Sequence, residues 1–256
     1  MRTASRAALC KFLALFVGLA TTSAAVADGS SARLAAYYDR KLLLCGTTAY
    51  QWNGSEVPIK VATDLVQVGV GQDASYGLTT TGALIYWRDD PSAPQTLMDQ
   101  INWFAAGNSG LFALDTDDTL WFLAQDSSWF SSNKNSKPEA IAKAVRAASI
   151  GDSANYYVTK AGMLYVSGLA HRGQYGDGKL KASQKFIPVA DNVAAIKAHT
   201  GHAILLTSKG VVRGTGGNIY GPLGRHGLGD KATVWGNIFE GAAEIQADII
   251  ARRLSD

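Results

Sequence analysis

Apolar runs, separated by short polar or glycine-rich stretches, recur along the chain in a repeated order. The clearest copies are Val145–Val166 (VRAASIGDSANYYVTKAGMLYV) and Val193–Arg213 (VAAIKAHTGHAILLTSKGVVR), and weaker copies are Leu65–Trp87 and Ile101–Phe122. Each copy has an apolar run, a turn of small residues, a second apolar run, a polar hairpin ending in Gly or Asp, and a third run. A repeated supersecondary unit of this kind predicts a repeat architecture.

The apolar runs have the composition of β-strands. Tyr156–Thr159 and Leu84–Trp87 are rich in the aromatic and β-branched residues that suit a pleated, largely buried strand. Glu139–Ala148 has the best helical propensity, but its second half aligns with the first strand of a repeat, so we expect at most a short helical turn there. Phe239–Leu254 also permits an amphipathic helix, although the repeat favours strands in that segment.

The polar hairpins set the repeat period. We place them near Arg40-Lys41, Gly82, Asp118, Gly162 and Gly210, which are 36 to 48 residues apart from Gly82 onward. This spacing is typical of four-stranded propeller blades and is too long for hexapeptide or nonapeptide coils. The predicted fold is therefore an all-β propeller in which about five to six blades are recognisable.

The beginning of the chain has the layout of a secretory signal peptide. Three basic residues accompany the apolar run Phe12–Ala20, and the small residues Ala25–Ala27 precede Asp28. The apolar run is too short to span a bilayer, and no later segment approaches the roughly 20 apolar residues of a transmembrane helix. We therefore expect a leader cleaved from residues 1–27, a single domain over residues 28–256, no transmembrane anchor, and a periplasmic or secreted location.

Net charge argues against a nucleic-acid partner. The chain has 24 Lys and Arg residues and 21 Asp and Glu residues, which gives a net charge of +3. The predicted leader holds three of the basic residues and no acidic one, so the mature chain is neutral. Without a basic stripe, nucleic-acid binding has no electrostatic basis.

Cysteine content limits covalent stabilisation. Of the two cysteines, only Cys45 lies in the predicted mature chain, which excludes an intramolecular disulfide there. Cys45 ends the run Leu42–Cys45, and this position predicts a buried thiol that behaves as a small hydrophobe.

Several short motifs occur in a fixed order within the repeats. Met163–Gly168 (MLYVSG), Gly173–Gly178 (GQYGDG) and Pro188-Val189 follow one another in one repeat, and Gly216–Gly224 (GGNIYGPLG) and Gly227–Asp230 (GLGD) lie in the next. This order resembles the repeat of the regulator-of-chromosome-condensation family, the RCC1-like β-propellers. The resemblance covers roughly residues 33–256, and it implies a propeller fold.

The chain departs from this family in two respects. The Trp-Gly pair of the family repeat is mostly missing, since Trp87 is followed by Arg88. The family usually closes seven blades, whereas about five to six are recognisable here. Either Arg33–Gly46 and Ala243–Asp256 share a blade that closes the ring, or the ring is incomplete and needs a partner chain. The main rival architecture is a different bladed or β-solenoid repeat.

No combination of polar residues indicates a catalytic or metal site. His199 and His202 have a spacing that suits a metal, but no Cys or paired carboxylate stands beside them. No G-x-S-x-G motif is present, and the carboxylates lie in predicted hairpins and loops. We therefore expect no catalytic residue, no metal and no cofactor.

Aromatic and cationic residues in the predicted outer loops suggest a binding surface instead. Aromatic residues and Arg dominate the energetics of protein–protein contacts, and loops on a rigid scaffold commonly carry binding. The candidate partner-binding residues are Trp129, Phe130, His171, Arg172, Tyr175, Tyr220, Arg225, His226 and Trp235. Alternatively, both tyrosines and Trp235 pack between blades, as the Tyr-Gly motif of the family implies. Trp129 and Phe130 form the pair that we most expect to be exposed.

The leading hypothesis is an exported, non-catalytic propeller that binds an unidentified protein through loops on one face, as an inhibitor, immunity protein or scaffold. The family resemblance supports it, because secreted bacterial members include an inhibitor that caps class A β-lactamases with aromatic loop residues. A second hypothesis is an envelope glycan or small-ligand module that uses Trp and Tyr platforms. A third is a propeller lyase or hydrolase, which requires His199, His202 and an acidic residue to converge.

Overall fold

In the part of the chain that the structure describes, the secondary-structure elements are β-strands. The computed structural model describes residues 34–54, 56–88, 90–124, 137–224 and 229–238. They form twenty strands in five four-stranded antiparallel sheets, and the strands of each sheet are consecutive along the chain. The all-β prediction is thus confirmed. In the described part of the chain, no helix is long and apolar enough to cross a membrane.

The five sheets fall into two compact units that divide after Lys143. Unit 1 contains sheets 1 to 3. Sheet 1 consists of β1 (Leu34–Tyr37), β2 (Arg40–Cys45), β3 (Thr48–Asn53) and β4 (Ile59–Ala62). Sheet 2 consists of β5 (Leu65–Val70), β6 (Ser75–Thr79), β7 (Leu84–Trp87) and β8 (Gln95–Met98). Sheet 3 consists of β9 (Ile101–Gly107), β10 (Gly110–Asp115), β11 (Leu120–Ala124) and β12 (Glu139–Ala142).

Unit 2 contains sheets 4 and 5. Sheet 4 consists of β13 (Val145–Ile150), β14 (Ala154–Thr159), β15 (Leu164–Gly168) and β16 (Ser183–Ala190). Sheet 5 consists of β17 (Val193–Ala198), β18 (His202–Thr207), β19 (Val212–Gly217) and β20 (Lys231–Asn237).

The core of each unit lies between consecutive sheets. In unit 1, Leu42 of sheet 1 packs in one cluster with Leu65 and Trp87 of sheet 2. In unit 2, Tyr156 of sheet 4 packs in one cluster with Leu205 of sheet 5. A sheet buried on both faces explains the nearly continuous apolar runs of the inner strands. The fourth strands are more exposed, since β4, β8 and β12 each begin with two exposed residues.

The predicted hairpins at Gly82, Asp118, Gly162 and Gly210 are confirmed as the connections between second and third strands. These four residues have φ angles between +58° and +86°. Each donates its backbone N–H to the carbonyl oxygen three residues earlier, at 2.8–3.2 Å. Glycine adopts a positive φ without steric cost, and aspartate tolerates it better than most residues.

The hairpin predicted at Arg40-Lys41 is wrong, because both residues lie within β2. The equivalent hairpin of sheet 1 is at Gly46-Thr47, where Gly46 has a φ of +64°. The polar pair Arg40-Lys41 follows another turn, Tyr38-Asp39, which connects β1 to β2. The short helical turn allowed in Glu139–Ala148 is also absent, because Glu139–Ala142 pairs with β11 as a strand.

Cys45 is half-buried at the end of β2 and not fully buried. The prediction of a buried thiol is therefore wrong. The other cysteine of the sequence, Cys10, lies outside the described residues, as do the terminal segment Ala243–Asp256 and the predicted leader.

Backbone hydrogen bonds join consecutive sheets within each unit. In each case the first residue of a sheet donates its N–H to the carbonyl oxygen of the hairpin in the preceding sheet. These bonds run from Leu65 to Thr47, from Ile101 to Gly82 and from Val193 to Gly162, each at 2.9 Å. The position of Thr47 in this series supports Gly46-Thr47 as the equivalent hairpin of sheet 1.

Candidate functional site

Within each sheet, the longer connections lie at one end. Because antiparallel neighbours reverse direction, the connections after the first and third strands of a sheet lie at the same end, opposite the hairpins. We call this end of a sheet its loop end. In unit 2, residues 169–182 connect β15 to β16, and residues 218–230 connect β19 to β20. These two connections contain six of the nine candidate partner-binding residues.

The structure separates the candidate residues by exposure. His171, Arg172 and Tyr220 are exposed, Trp235 is half-buried and Tyr175 is fully buried. The remaining four candidates, Trp129, Phe130, Arg225 and His226, lie outside the described residues.

Tyr175 belongs to the core and is not a surface residue. Its side chain is 0 % exposed and packs in the cluster between sheets 4 and 5. Its hydroxyl donates to the carbonyl oxygen of Gly168 at 2.6 Å and accepts the backbone N–H of Ser183 at 2.9 Å. This arrangement fastens the ends of β15 and β16 together. The alternative that Tyr175 packs between blades therefore describes it correctly, and its inclusion among surface candidates is corrected.

Trp235 holds the β15–β16 connection against sheet 5. Its ring packs on Gly176, whose φ is +69°, and a Cβ at this position would overlap the indole. Gly178 donates its N–H to the carbonyl oxygen of Thr233 at 2.8 Å, and Asp177 forms a β-bridge with Val234. The connection thus pairs with β20, and much of Trp235 serves this packing.

Arg172 lies across the loop end of sheet 5. Ideal Cβ atoms on Gly201 and Gly217 would lie 3.1 and 3.2 Å from its Cδ, so the side chain covers these two glycines. The backbone N–H of Arg172 donates to Oε1 of the buried Gln174 at 2.8 Å, which fixes the start of the turn. The exposed Arg172 side chain thus packs on the backbone of Gly201 and Gly217.

Two histidines, His199 and His202, lie close to Gly201 in the chain. The rings of His199 and His202 are 6.0 Å apart, and the Thr200 hydroxyl lies 3.0 Å from Nδ1 of His199. Burial lowers the pKa of His202 below its usual value, and the neighbouring His199 lowers this pKa further. Across the residues that the structure describes, no group of three or more His, Cys, Asp or Glu could hold a metal ion.

Tyr220 is the most exposed large apolar side chain among the candidates. It is 96 % exposed, and the adjacent Ile219 is 58 % exposed. The surrounding turn is well defined: Gly221 donates to the carbonyl oxygen of Asn218 at 2.9 Å, and Leu223 N donates to Oδ1 of Asn218 at 3.1 Å. A hydrogen-bonded turn therefore presents an aromatic and an aliphatic side chain to solvent.

Unit 1 contains a cavity that the sequence analysis did not anticipate. Its volume is about 300 Å³, and it lies at the loop ends of the three sheets. Its lining residues are Tyr37, Tyr38, Asp39, Arg40, Gln72 and Asn108. The Tyr37 hydroxyl donates to Oδ1 of Asn108 at 2.9 Å. The adjacent residues Tyr37–Arg40 could have indicated this site in the sequence, but the sequence analysis assigned Arg40 to a hairpin.

Comparison with solved structures establishes the architecture. Yeast RCC1 (Prp20), solved bound to Kap60, matches with a TM-score of 0.67 at 18% identity over 82% of this chain. The fold is that of an RCC1-type propeller. The crystal structure of Prp20p of Saccharomyces cerevisiae matches with a TM-score of 0.65 at 16% identity over 84% of this chain. That structure was described together with the binding properties of Prp20p to Gsp1p and histones.

The structure of human WBSCR16 also matches, with a TM-score of 0.65 at 17% identity over 79% of this chain. The chain spans only 61% to 65% of the length of these three structures. No family model and no curated protein matches the sequence. At these identities the likeness concerns the fold.

Proposed function

We propose that this chain is an exported, non-catalytic RCC1-type propeller that binds a partner protein through the loop end of unit 2. The observation that carries the proposal is the side-chain pair Ile219 and Tyr220, held in solvent by a hydrogen-bonded turn. Large exposed aromatic side chains are enriched at the energetic centres of protein interfaces. Their burial by a partner recovers apolar area at low entropic cost, because the turn is already ordered.

Arg172 adds a cation to the same surface. Its side chain rests on Gly201 and Gly217, and the described residues include no carboxylate paired with it. A guanidinium supported in this way can bind a partner carboxylate through two parallel hydrogen bonds. His171, next to Arg172 in the chain, and His199, two residues before Gly201, are also exposed. The surface thus combines apolar side chains, imidazole rings and the Arg172 guanidinium.

The fold supports protein binding in a general way. Yeast RCC1 was solved with the protein Kap60 bound, and the crystal structure of Prp20p was described together with the binding properties of Prp20p to Gsp1p and histones. Kap60, Gsp1p and histones are partners of the yeast proteins. For this chain we infer only the general feature, which is a rigid scaffold of blades whose loops bind a protein.

A pull-down from periplasmic and secreted fractions tests the proposal, with residues 28–256 as bait and mass spectrometry as the readout. We expect one protein in near-stoichiometric amount. With the purified partner, Tyr220→Ala should weaken binding by about 2 kcal/mol, the typical effect of a hot-spot residue. Tyr38→Ala is the matched control, since Tyr38 is an 87 % exposed tyrosine of unit 1. An empty pull-down from a folded chain, or equal losses in both variants, would contradict the proposal.

Trp129 and Phe130 lie outside the described residues and remain predicted partner-binding residues. Replacing both by Ala should weaken the same complex by about 2 kcal/mol or more if they contact the partner. Unchanged affinity of the purified complex would remove them from the binding surface.

Export is tested by fractionation of cells that express the full chain. We expect a periplasmic or secreted product whose N-terminal sequence begins at Asp28, because small residues precede this position. A product that retains residues 1–27 would contradict the cleaved leader.

A further inference from the structure

One of the residues that line the cavity of unit 1, Arg40, is a charged residue at the start of the apolar face of β2. Alternate residues of a strand point to the same side, so Arg40 shares its side of β2 with the buried Leu42 and Leu44. Arg40 is therefore half-buried, and it is one of the residues that line the cavity. A cation in such a position is costly unless an anion or several hydrogen-bond acceptors compensate for it.

The surroundings of Arg40 supply little compensation. Its Nη1 atom is buried without a hydrogen-bond partner, and no carboxylate of the described residues forms an ion pair with the guanidinium. Tyr76 is close enough to sense the charge. Burial raises the pKa of Tyr76 to about 12, while the charges of Arg88 and Arg40 act in the opposite direction. The phenol thus stays neutral at physiological pH and does not act as a counter-ion.

The remaining walls of the cavity suit a ring-bearing molecule. The rings of Tyr37 and Tyr38 meet edge to face at a centroid distance of 4.7 Å, and most of the Tyr38 ring is exposed. Because Oδ1 of Asn108 accepts the Tyr37 hydroxyl, the amide NH₂ of Asn108 is its remaining polar group. The cavity therefore offers aromatic surface together with hydrogen-bond donors.

We infer that this cavity binds a small monocarboxylate with a ring-shaped body. The carboxylate pairs with the Arg40 guanidinium, and the ring packs against Tyr38. A volume of about 300 Å³ is at the lower limit for ligand pockets and suits a molecule of this size. Asp39 lines the same cavity, and its negative charge disfavours ligands with a second anionic group. This site is separate in chemistry and in sequence from the proposed protein-binding surface of unit 2.

Titration calorimetry and saturation-transfer NMR with four probes test the inference. Benzoate and glucuronate carry the carboxylate on an aromatic and on a sugar ring, and benzamide and glucose are their uncharged counterparts. We expect at least one acid to bind and its uncharged counterpart to bind at least tenfold more weakly. Binding of benzoate alone would identify an aromatic acid as the ligand type, and binding of glucuronate alone would identify a sugar acid.

Variants locate the binding. Arg40→Gln should weaken binding of the acid at least tenfold, and Tyr38→Ala should weaken it several-fold. Arg213→Gln is the matched control, because Arg213 is an exposed arginine of unit 2, and we expect no change there. Tyr38 lies in an exposed turn, so its variant remains informative even if Arg40→Gln does not fold. The inference is overturned if neither acid binds, if the uncharged probes bind equally well, or if folded Arg40→Gln binds like the wild type. Tyr220→Ala should leave acid binding unchanged, which separates this test from that of the proposed function.

Discussion

Sheets 1 and 2 of unit 1 and sheets 4 and 5 of unit 2 have the same strand order but different loop ends. The connections between third and fourth strands are five and seven residues long in sheets 1 and 2, against 14 and 13 in sheets 4 and 5. The inner turns of sheets 1 and 2 line the cavity together with Asn108 of sheet 3. In unit 2, the connection of sheet 4 crosses to β20 and covers its own sheet end. The long connection of sheet 4 thus packs on the neighbouring sheet, whereas the inner turns of sheets 1 and 2 line a cavity.

The largest effect is expected at the point where the long connection of unit 2 meets β20. Gly173 has a φ of +83°, and a Cβ there would overlap the carbonyl oxygen of Ala232 and lie 2.8 Å from Cα of Thr233. Since backbone atoms cannot yield easily, Gly173→Ala should lower the free energy of unfolding by about 3 kcal/mol. Gly221→Ala is the control, because Gly221 has a similar φ of +69° with nothing within 4 Å of its Cβ position.

Gly221→Ala should lower the free energy of unfolding by only about 1 kcal/mol, because only the positive φ is unfavourable for alanine at this position. Denaturant unfolding of both variants measures the difference. Equal losses would show that the connection does not depend on close contact with β20.

A smaller difference is expected between the side-chain links that join neighbouring sheets. In unit 1, the buried Gln67 bonds both backbone groups of Phe104: Nε2 donates to its carbonyl oxygen at 2.6 Å, and Oε1 accepts its N–H at 3.4 Å. In unit 2, Oγ of Ser149 accepts only the N–H of Ala198, at 2.9 Å. Gln67→Ala leaves two buried groups unpaired and should cost about 2 to 3 kcal/mol, whereas Ser149→Ala should cost about 1 kcal/mol.

Chemical denaturation of the two variants under identical conditions tests this order. A larger loss for Ser149→Ala than for Gln67→Ala would contradict the view that unit 1 depends more on side-chain links between sheets.

The smallest effect concerns pH and distinguishes the histidine pair of unit 2 from the histidine-free sheets of unit 1. Burial, and then His199, lower the pKa of His202 in the folded chain. Between the lowered folded pKa and the ordinary value of about 6.5, the unfolded chain binds more protons at this residue, so stability falls as pH falls. His202→Gln should reduce the pH dependence in this window, as measured by unfolding at pH 7.5 and 5.5. An unchanged slope would show that other groups cause the dependence.

The sequence predicted the strand repeat well because apolar runs and positive-φ turns are local signals. Gly82, Gly162 and Gly210 each lie between two apolar runs, and the structure places each of them in a hairpin. Sheet 1 was mispredicted because the polar pair Arg40-Lys41 resembles a turn, whereas β2 carries both residues within a strand. A charged residue on the core side of a strand breaks the alternation on which such predictions rest.

The candidate site was less predictable, as two tyrosines demonstrate. Tyr175 and Tyr220 both precede a glycine in corresponding motifs, yet one is fully buried and the other is 96 % exposed. The difference arises from tertiary contacts: the hydroxyl of Tyr175 bonds to both edges of its own connection, whereas Tyr220 occupies a turn that is hydrogen-bonded to Gly229 and Asp230 at the end of the same connection. Local sequence does not encode which loop folds back onto a neighbouring sheet.

The backbone bonds between a hairpin carbonyl and the first N–H of the following sheet have an evolutionary consequence. Since no side chain takes part in these joints, a substitution at Thr47 can change the residue without removing its carbonyl oxygen. The joint between two blades can therefore persist while the side chains around it differ. Joints of this kind are compatible with TM-scores of 0.65 to 0.67 at 16% to 18% identity, because they place no demand on the side chain.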